Sequence, residues 1–91
     1  MRVEALMIDG SEFHVFEYVD IKLTKISYAY HFQDRDGKLV FRYDNEPHFP
    51  RLPGFPHHKH VSTSSSPMGS KPVEIRDAIR EAAKAIAESN A

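Results

Sequence analysis

Apolar and polar residues alternate through most of the first half of the chain and recur at helical spacing near its end. From Val3 to Ile8 the alternation is loose, Asp9-Gly10 is a tight-turn pair, and Glu12 to Val19 (EFHVFEYV) is dense in aromatic and β-branched residues. That combination predicts a β-hairpin. Asp20 to Lys25 is a polar connection with no preference of its own. Ile26 to Gln33 (ISYAYHFQ) then alternates cleanly, Asp34-Arg35-Asp36-Gly37 supplies turn chemistry, and Lys38 to Asp44 reads as the returning strand. Loops of two or four residues give the same parity here, because slipping a strand by two leaves every side chain on its face. Ile26, Tyr28, Tyr30, Phe32, Leu39, Phe41 and Tyr43 are therefore expected on one aromatic face. Ser27, Ala29, His31, Gln33, Val40, Arg42 and Asp44 are expected on the other, with His31 opposite or near Arg42.

The second half begins differently. Prolines at 47, 50, 53 and 56 recur every third residue, the period of a polyproline II helix, and predict a stiff extended arm. His57 to Val61 follows as a short strand with His58 and His60 on one face and His57 on the other. Ser62 to Ser70 (STSSSPMGS) has the composition of a flexible linker. Ser70-Lys71-Pro72 can open a helix. From Val73 to about Glu88, Ile75, Ile79, Ala82 and Ile86 form an apolar stripe, while Asp77, Arg80, Glu81, Lys84 and Glu88 face solvent. The expected architecture is one α+β domain over residues 1–91. It is an antiparallel sheet of four or five strands with a single C-terminal helix on its aromatic face.

Composition narrows the chemistry. With 91 residues and no cysteine, neither disulfides nor a thiolate zinc site can hold the small core, and a reducing cytoplasm is the expected compartment. The first residues lack the continuous apolar run of a signal peptide, and nothing approaches the roughly 20 apolar residues of a membrane span. A formal net charge of −1 removes the general electrostatic argument for non-specific nucleic-acid binding. Locally the picture differs: Phe41 to His60 holds four of the six histidines with Arg42, Arg51 and Lys59. Anion affinity there would be local and pH-dependent.

Three classes of chemistry fit that stretch. The first is a metal site, with His58 and His60 at i, i+2 on a strand and Asp44 or His48 completing a set suited to an imidazole-binding ion. The second is acid–base cleavage of RNA through its own 2′-hydroxyl, which needs a base, an acid and a cation but no metal. Histidines supply the first two, Arg42 or Lys59 the third, and Tyr43, Phe49 and Phe55 can stack on unpaired bases. The third is a non-catalytic interaction surface, in which the proline arm and its phenylalanines dock a partner protein.

The stretch from Ile26 to His60 resembles the TumE-like toxin family of prokaryotic toxin–antitoxin modules. A Tyr-rich strand, a polar hairpin turn, an Arg-Tyr-Asp-Asn-x-Pro-His block and a closing Pro-His-His-Lys-His carry the resemblance. It implies that the family's shared polar residues fall on Arg42, Asp44, Asn45, His48, His57, His58 and His60. It further implies an intracellular toxin neutralised by a cognate antitoxin, and RNA as the usual target of such toxins. On this reading the expected catalytic set is Arg42, Asp44, His48, His57, His58 and His60. His58 and His60 form the acid–base pair, Arg42 grips the phosphate and Asp44 orients a histidine. Tyr43, Asn45, Lys59 and His31 are expected to contact substrate. No cofactor is expected, with His58, His60 and Asp44 the set if a metal is bound after all, and self-association as a homodimer is left open.

Overall fold

The computed structural model of the chain describes residues 1–22 and 25–89. Leu23 and Thr24 of the polar connection, and Asn90 and Ala91, lie outside the described residues. Six strands, β1 (Arg2–Leu6), β2 (Glu12–Asp20), β3 (Lys25–Gln33), β4 (Leu39–Asp44), β5 (His58–Val61) and β6 (Met68–Gly69), form one sheet in chain order, each antiparallel to its neighbours. Among the described residues a single helix, α1 (Ile75–Ser89), follows. Six strands replace the expected four or five because Met68–Gly69, within the segment read as linker, pairs with His58 and Lys59. Two bare contacts explain why glycine stands there. A Cβ on Gly69 would lie 2.1 Å from the Pro53 carbonyl oxygen, and one on Gly54, at φ +83°, 2.2 Å from that of Ser70. No helix of the described residues is long and apolar enough to cross a membrane.

The alternation of β2 to β4 divides the sheet as its sequence requires. Phe13, Val15, Tyr28, Tyr30, Phe32 and Phe41 are buried on one face and pack with Ala78 and Ala82 of α1. The parity expected for the β3–β4 hairpin holds, but the register is offset by a bulge at Phe32/Gln33, so that Phe32 faces Phe41 and His31 faces Arg42. An extra residue in one strand rotates the side chains around it. As a result Val40, expected on the polar face, is packed against the core. The turn before it is held by Asp34, whose Oδ1 accepts from the N–H groups of Asp36 and Lys38 at 2.9 Å each.

The helix meets the aromatic face through alanines rather than through the isoleucine stripe alone. Ala78 and Ala82 are four apart and fully buried, whereas Ile79 is 48 % exposed. Small side chains let the helix axis approach rings that already fill the space, and Ile75, Ala85 and Ile86 close the edges. Glu81, expected to face solvent, instead accepts from the Tyr43 hydroxyl at 2.5 Å and pairs with Lys59 at 2.8 Å. Those contacts tie the helix to β4 and β5.

The proline stretch is not an extended arm. Between β4 and β5 the chain makes successive tight turns, with bonds from Leu52 N to Phe49 O, Phe55 N to Leu52 O and His57 N to Gly54 O at 3.1, 3.2 and 3.0 Å. Proline at the second position of a turn is as well suited to this as to polyproline II. Spacing alone did not discriminate the two.

Candidate functional site

The face opposite the helix collects the charged and imidazole side chains. Cross-strand pairing places Glu4, His14, His31, Arg42 and His60 side by side, one from each of β1 to β5. Directly paired residues in an antiparallel ladder have Cβ atoms about 4.5–5.5 Å apart, so this is a continuous row with Arg42 between two histidines. The rings of His14 and His31 meet edge to face at 5.7 Å. Arg2, Glu4, His14, His31, Arg42 and Glu46 contribute to the wall of an open cleft of about 440 Å³ over the β1–β4 part of the row.

Next to the row lies a buried pair. Asp44 and His58 are paired across β4 and β5, and their side chains are 6 % and 2 % exposed. Asp44 Oδ1 lies 2.8 Å from His58 Nε2 and accepts from the Glu46 N–H at 3.1 Å, and Oδ2 accepts from Arg42 Nε at 3.2 Å. The other ring nitrogen of His58, Nδ1, lies 3.0 Å from the Pro56 carbonyl oxygen. Phe49, delivered by the turns, covers this cluster edge-on, with its ring centroid 4.9 Å from His58 and 6.1 Å from His60. With both nitrogens committed to protein oxygens, His58 has none left for a substrate. Arg42 is anchored through Nε, and its terminal nitrogens make no hydrogen bond among the described residues.

The environments of His31 and His60 favour the neutral ring. Burial lowers the His31 pKa below the usual imidazole value, with Arg42 and His14 acting in the same direction against a raising bond to Gln33. Burial likewise lowers that of His60, opposed by Asp44 and reinforced by His58 and Arg42. The Nε2 of His31 is 3.0 Å from Gln33 Oε1, and its buried Nδ1 has no partner among the described residues. An amide oxygen only accepts, so Nε2 carries the hydrogen and Nδ1 presents a lone pair.

The predicted residues therefore separate into groups. Arg42, Asp44, His58 and His60 share one cluster, with His31 beside Arg42. Tyr43 and Lys59, expected to contact substrate with them, point to the helix side, where both bind Glu81 and the Lys59 ammonium sits 4.8 Å from the Tyr43 ring centroid. His57 is also on that side, stacked on Tyr28 with Nδ1 2.6 Å from its hydroxyl. Asn45 is spent on the sheet: Oδ1 accepts from Tyr28 N at 2.9 Å and Nδ2 donates to Ile26 O at 2.6 Å, continuing the ladder where β4 ends. His48 is exposed in a turn against Phe49. Sequence reasoning gave no role to His14 or to Phe49 as a cover. The signal for His14 was available, since it alternates with Phe13 and Val15 and falls on the His31 parity; the position of Phe49 depends on the turns.

Fold and face together define a small α+β protein, a six-stranded meander backed by one helix, with a histidine–arginine row on its uncovered side. The chain belongs to the TumE toxin family, whose model, described as Toxin TumE, matches residues 1–90. No curated protein and no solved structure matches the chain.

Proposed function

We propose that this toxin acts in the cytoplasm by cutting RNA without a metal, and that a cognate antitoxin neutralises it. The observation that carries the reading is the row in which Arg42 stands between His31 and His60. His31, held beside Arg42, takes the proton from a ribose 2′-hydroxyl as its oxygen attacks the adjacent phosphorus. His60, in its protonated form, gives a proton to the departing 5′-oxygen as the P–O5′ bond breaks, leaving a 2′,3′-cyclic phosphate, a free 5′-hydroxyl and a neutral His60 ring. Arg42 holds the non-bridging oxygens, whose negative charge grows in the transition state. Asp44 and His58 act through Arg42 and His60 as positioning residues, so the acid–base pair is His31 and His60 rather than His58 and His60. Support for an anionic ligand is local: the Arg42 guanidinium, whose terminal nitrogens make no bond among the described residues, stands between two imidazoles on the face opposite the helix.

The test is cleavage of cellular RNA by purified protein in excess chelator, alongside growth arrest with and without the neighbouring gene product. Removing a general acid or base typically costs ~10²–10⁴-fold, so His31→Ala, His60→Ala and Arg42→Ala should each lower the rate at least ~100-fold. Cleavage that survives all three substitutions would overturn the assignment. Growth arrest by the triple variant without RNA cleavage would point instead to sequestration of a partner protein.

A further inference from the structure

We propose that Asp44, His58 and His60 form a binding site for one divalent ion of the zinc class, and that the ion switches the RNA-cleaving row off. One potential ligand atom from each of the three residues lies within 4.8 Å of those of the other two. Two neutral imidazoles and a carboxylate, with a position left open, are a donor set that zinc accepts readily.

The polar partners argue for the site as much as the ligands do. The Pro56 carbonyl, 3.0 Å from His58 Nδ1, only accepts, so Nδ1 carries a hydrogen. That leaves Nε2 as the ring's lone pair, and it faces a carboxylate oxygen 2.8 Å away with both side chains almost wholly buried. Two lone-pair donors so close and so dry are placed as two ligands of one cation would be. The surroundings match those of a ligated histidine and carboxylate. The far nitrogen of His58 is held by a backbone carbonyl, and the far oxygen of Asp44 by Arg42 Nε at 3.2 Å. Outer contacts of this kind orient metal ligands and are worth 10–100-fold in affinity. Phe49 covers the His58 side and limits water. Tetrahedral zinc, with bonds of about 2.0–2.1 Å, sets its ligand atoms ~3.3 Å apart, so the 2.8 Å Asp44–His58 contact would open by about half an ångström as the ion enters.

His60 belongs to both arrangements. A nitrogen bound to zinc cannot deliver a proton to a leaving oxygen, so occupancy and the proposed catalytic role exclude one another. This second half rests on the RNA-cleavage reading; the binding half does not.

The probe is Zn²⁺ alone, titrated into the untagged full chain after chelator treatment and dialysis, in competition with a chromophoric chelator. One equivalent should bind, and His60→Ala, a half-buried position whose loss the fold should tolerate, should weaken it at least ~10-fold. His48→Ala, at an exposed histidine outside the triad, should leave affinity unchanged. Failure to bind, or equal affinity in wild type and His60→Ala, overturns the site. Helical circular dichroism of each variant without zinc shows that a loss is not unfolding. In the second arm, one equivalent of Zn²⁺ should slow RNA cleavage by the metal-free chain at least ~10-fold. Acceleration or no change with zinc bound would overturn the switch. Absence of cleavage both with and without zinc would overturn the ribonuclease reading and the switch with it, while the binding result stands by itself.

Discussion

Asp44 and His58 give the sharpest test of what holds the uncovered face together. Truncating Asp44 to alanine leaves the Arg42 guanidinium and the Glu46 N–H without an acceptor and His58 Nε2 facing an empty, nearly dry space. Breaking a buried pair by removing one partner costs ~3–5 kcal/mol, most of it from the polar group left behind. A chain of 91 residues at ~0.05–0.15 kcal/mol per residue has about 5–14 kcal/mol in all, so roughly a fifth or more of its stability is at stake. For a domain of this size ~3 kcal/mol corresponds to a fall in Tm of roughly 12–24 °C. Replacing both residues removes the stranded group as well as its partner, so Asp44→Ala/His58→Ala should be destabilised by at least ~1 kcal/mol less than the two single changes summed. Denaturant unfolding of the four proteins, in chelator so that no ion contributes to the coupling, measures this directly. Additive losses, or single losses below ~1 kcal/mol, would show that the 2.8 Å contact does not organise the site.

Two further outcomes follow from the same geometry. Asn45→Ala leaves the Tyr28 N–H and the Ile26 carbonyl without their side-chain partner, and at ~1–3 kcal/mol for a buried unsatisfied group should lower stability by about 2 kcal/mol or more in equilibrium unfolding. The lowered pKa of His31 makes the native state bind fewer protons than the unfolded chain below the unperturbed imidazole value. The stability this residue contributes is therefore full above about pH 6.5 and lost as pH falls through its folded pKa. Thermal melts from pH 7.5 to 5 should show Tm falling on acidification, and less steeply in His31→Asn.

Much of the meander was legible because burial on one face forces a period of two. Phe13 and Val15, Tyr28, Tyr30 and Phe32, and Phe41 had only one way to point together, and that choice sent His31, Arg42 and Asp44 to the other side. The expectation that a helix would cover the aromatic face was likewise a consequence of its apolar recurrence. Parity, however, is a local property. The alternation in β3 and β4 was equally consistent with registers two residues apart, and the bulge at Phe32/Gln33 selected the one that sets His31 against Arg42. A bulge leaves no composition signature, so the inward turn of Val40 was not foreseeable from its place in the strand.

The turns between β4 and β5 were decided in three dimensions as well. Four prolines at a spacing of three satisfy an extended helix and a run of tight turns equally well, and only docking of Pro53 and Gly54 against Gly69 and Ser70 distinguishes them. Those turns bring Phe49 over His58 and allow β5 to return antiparallel, pairing Asp44 with His58 and Arg42 with His60. The sequence by itself determined the α+β class, the division of the sheet into an aromatic and a polar face, and the residue types available for chemistry. Tertiary structure decided which of them meet. Long-range register brought His31, Arg42, Asp44, His58 and His60 onto one face, while a change of one residue in parity carried His57, Lys59 and Tyr43 to the other.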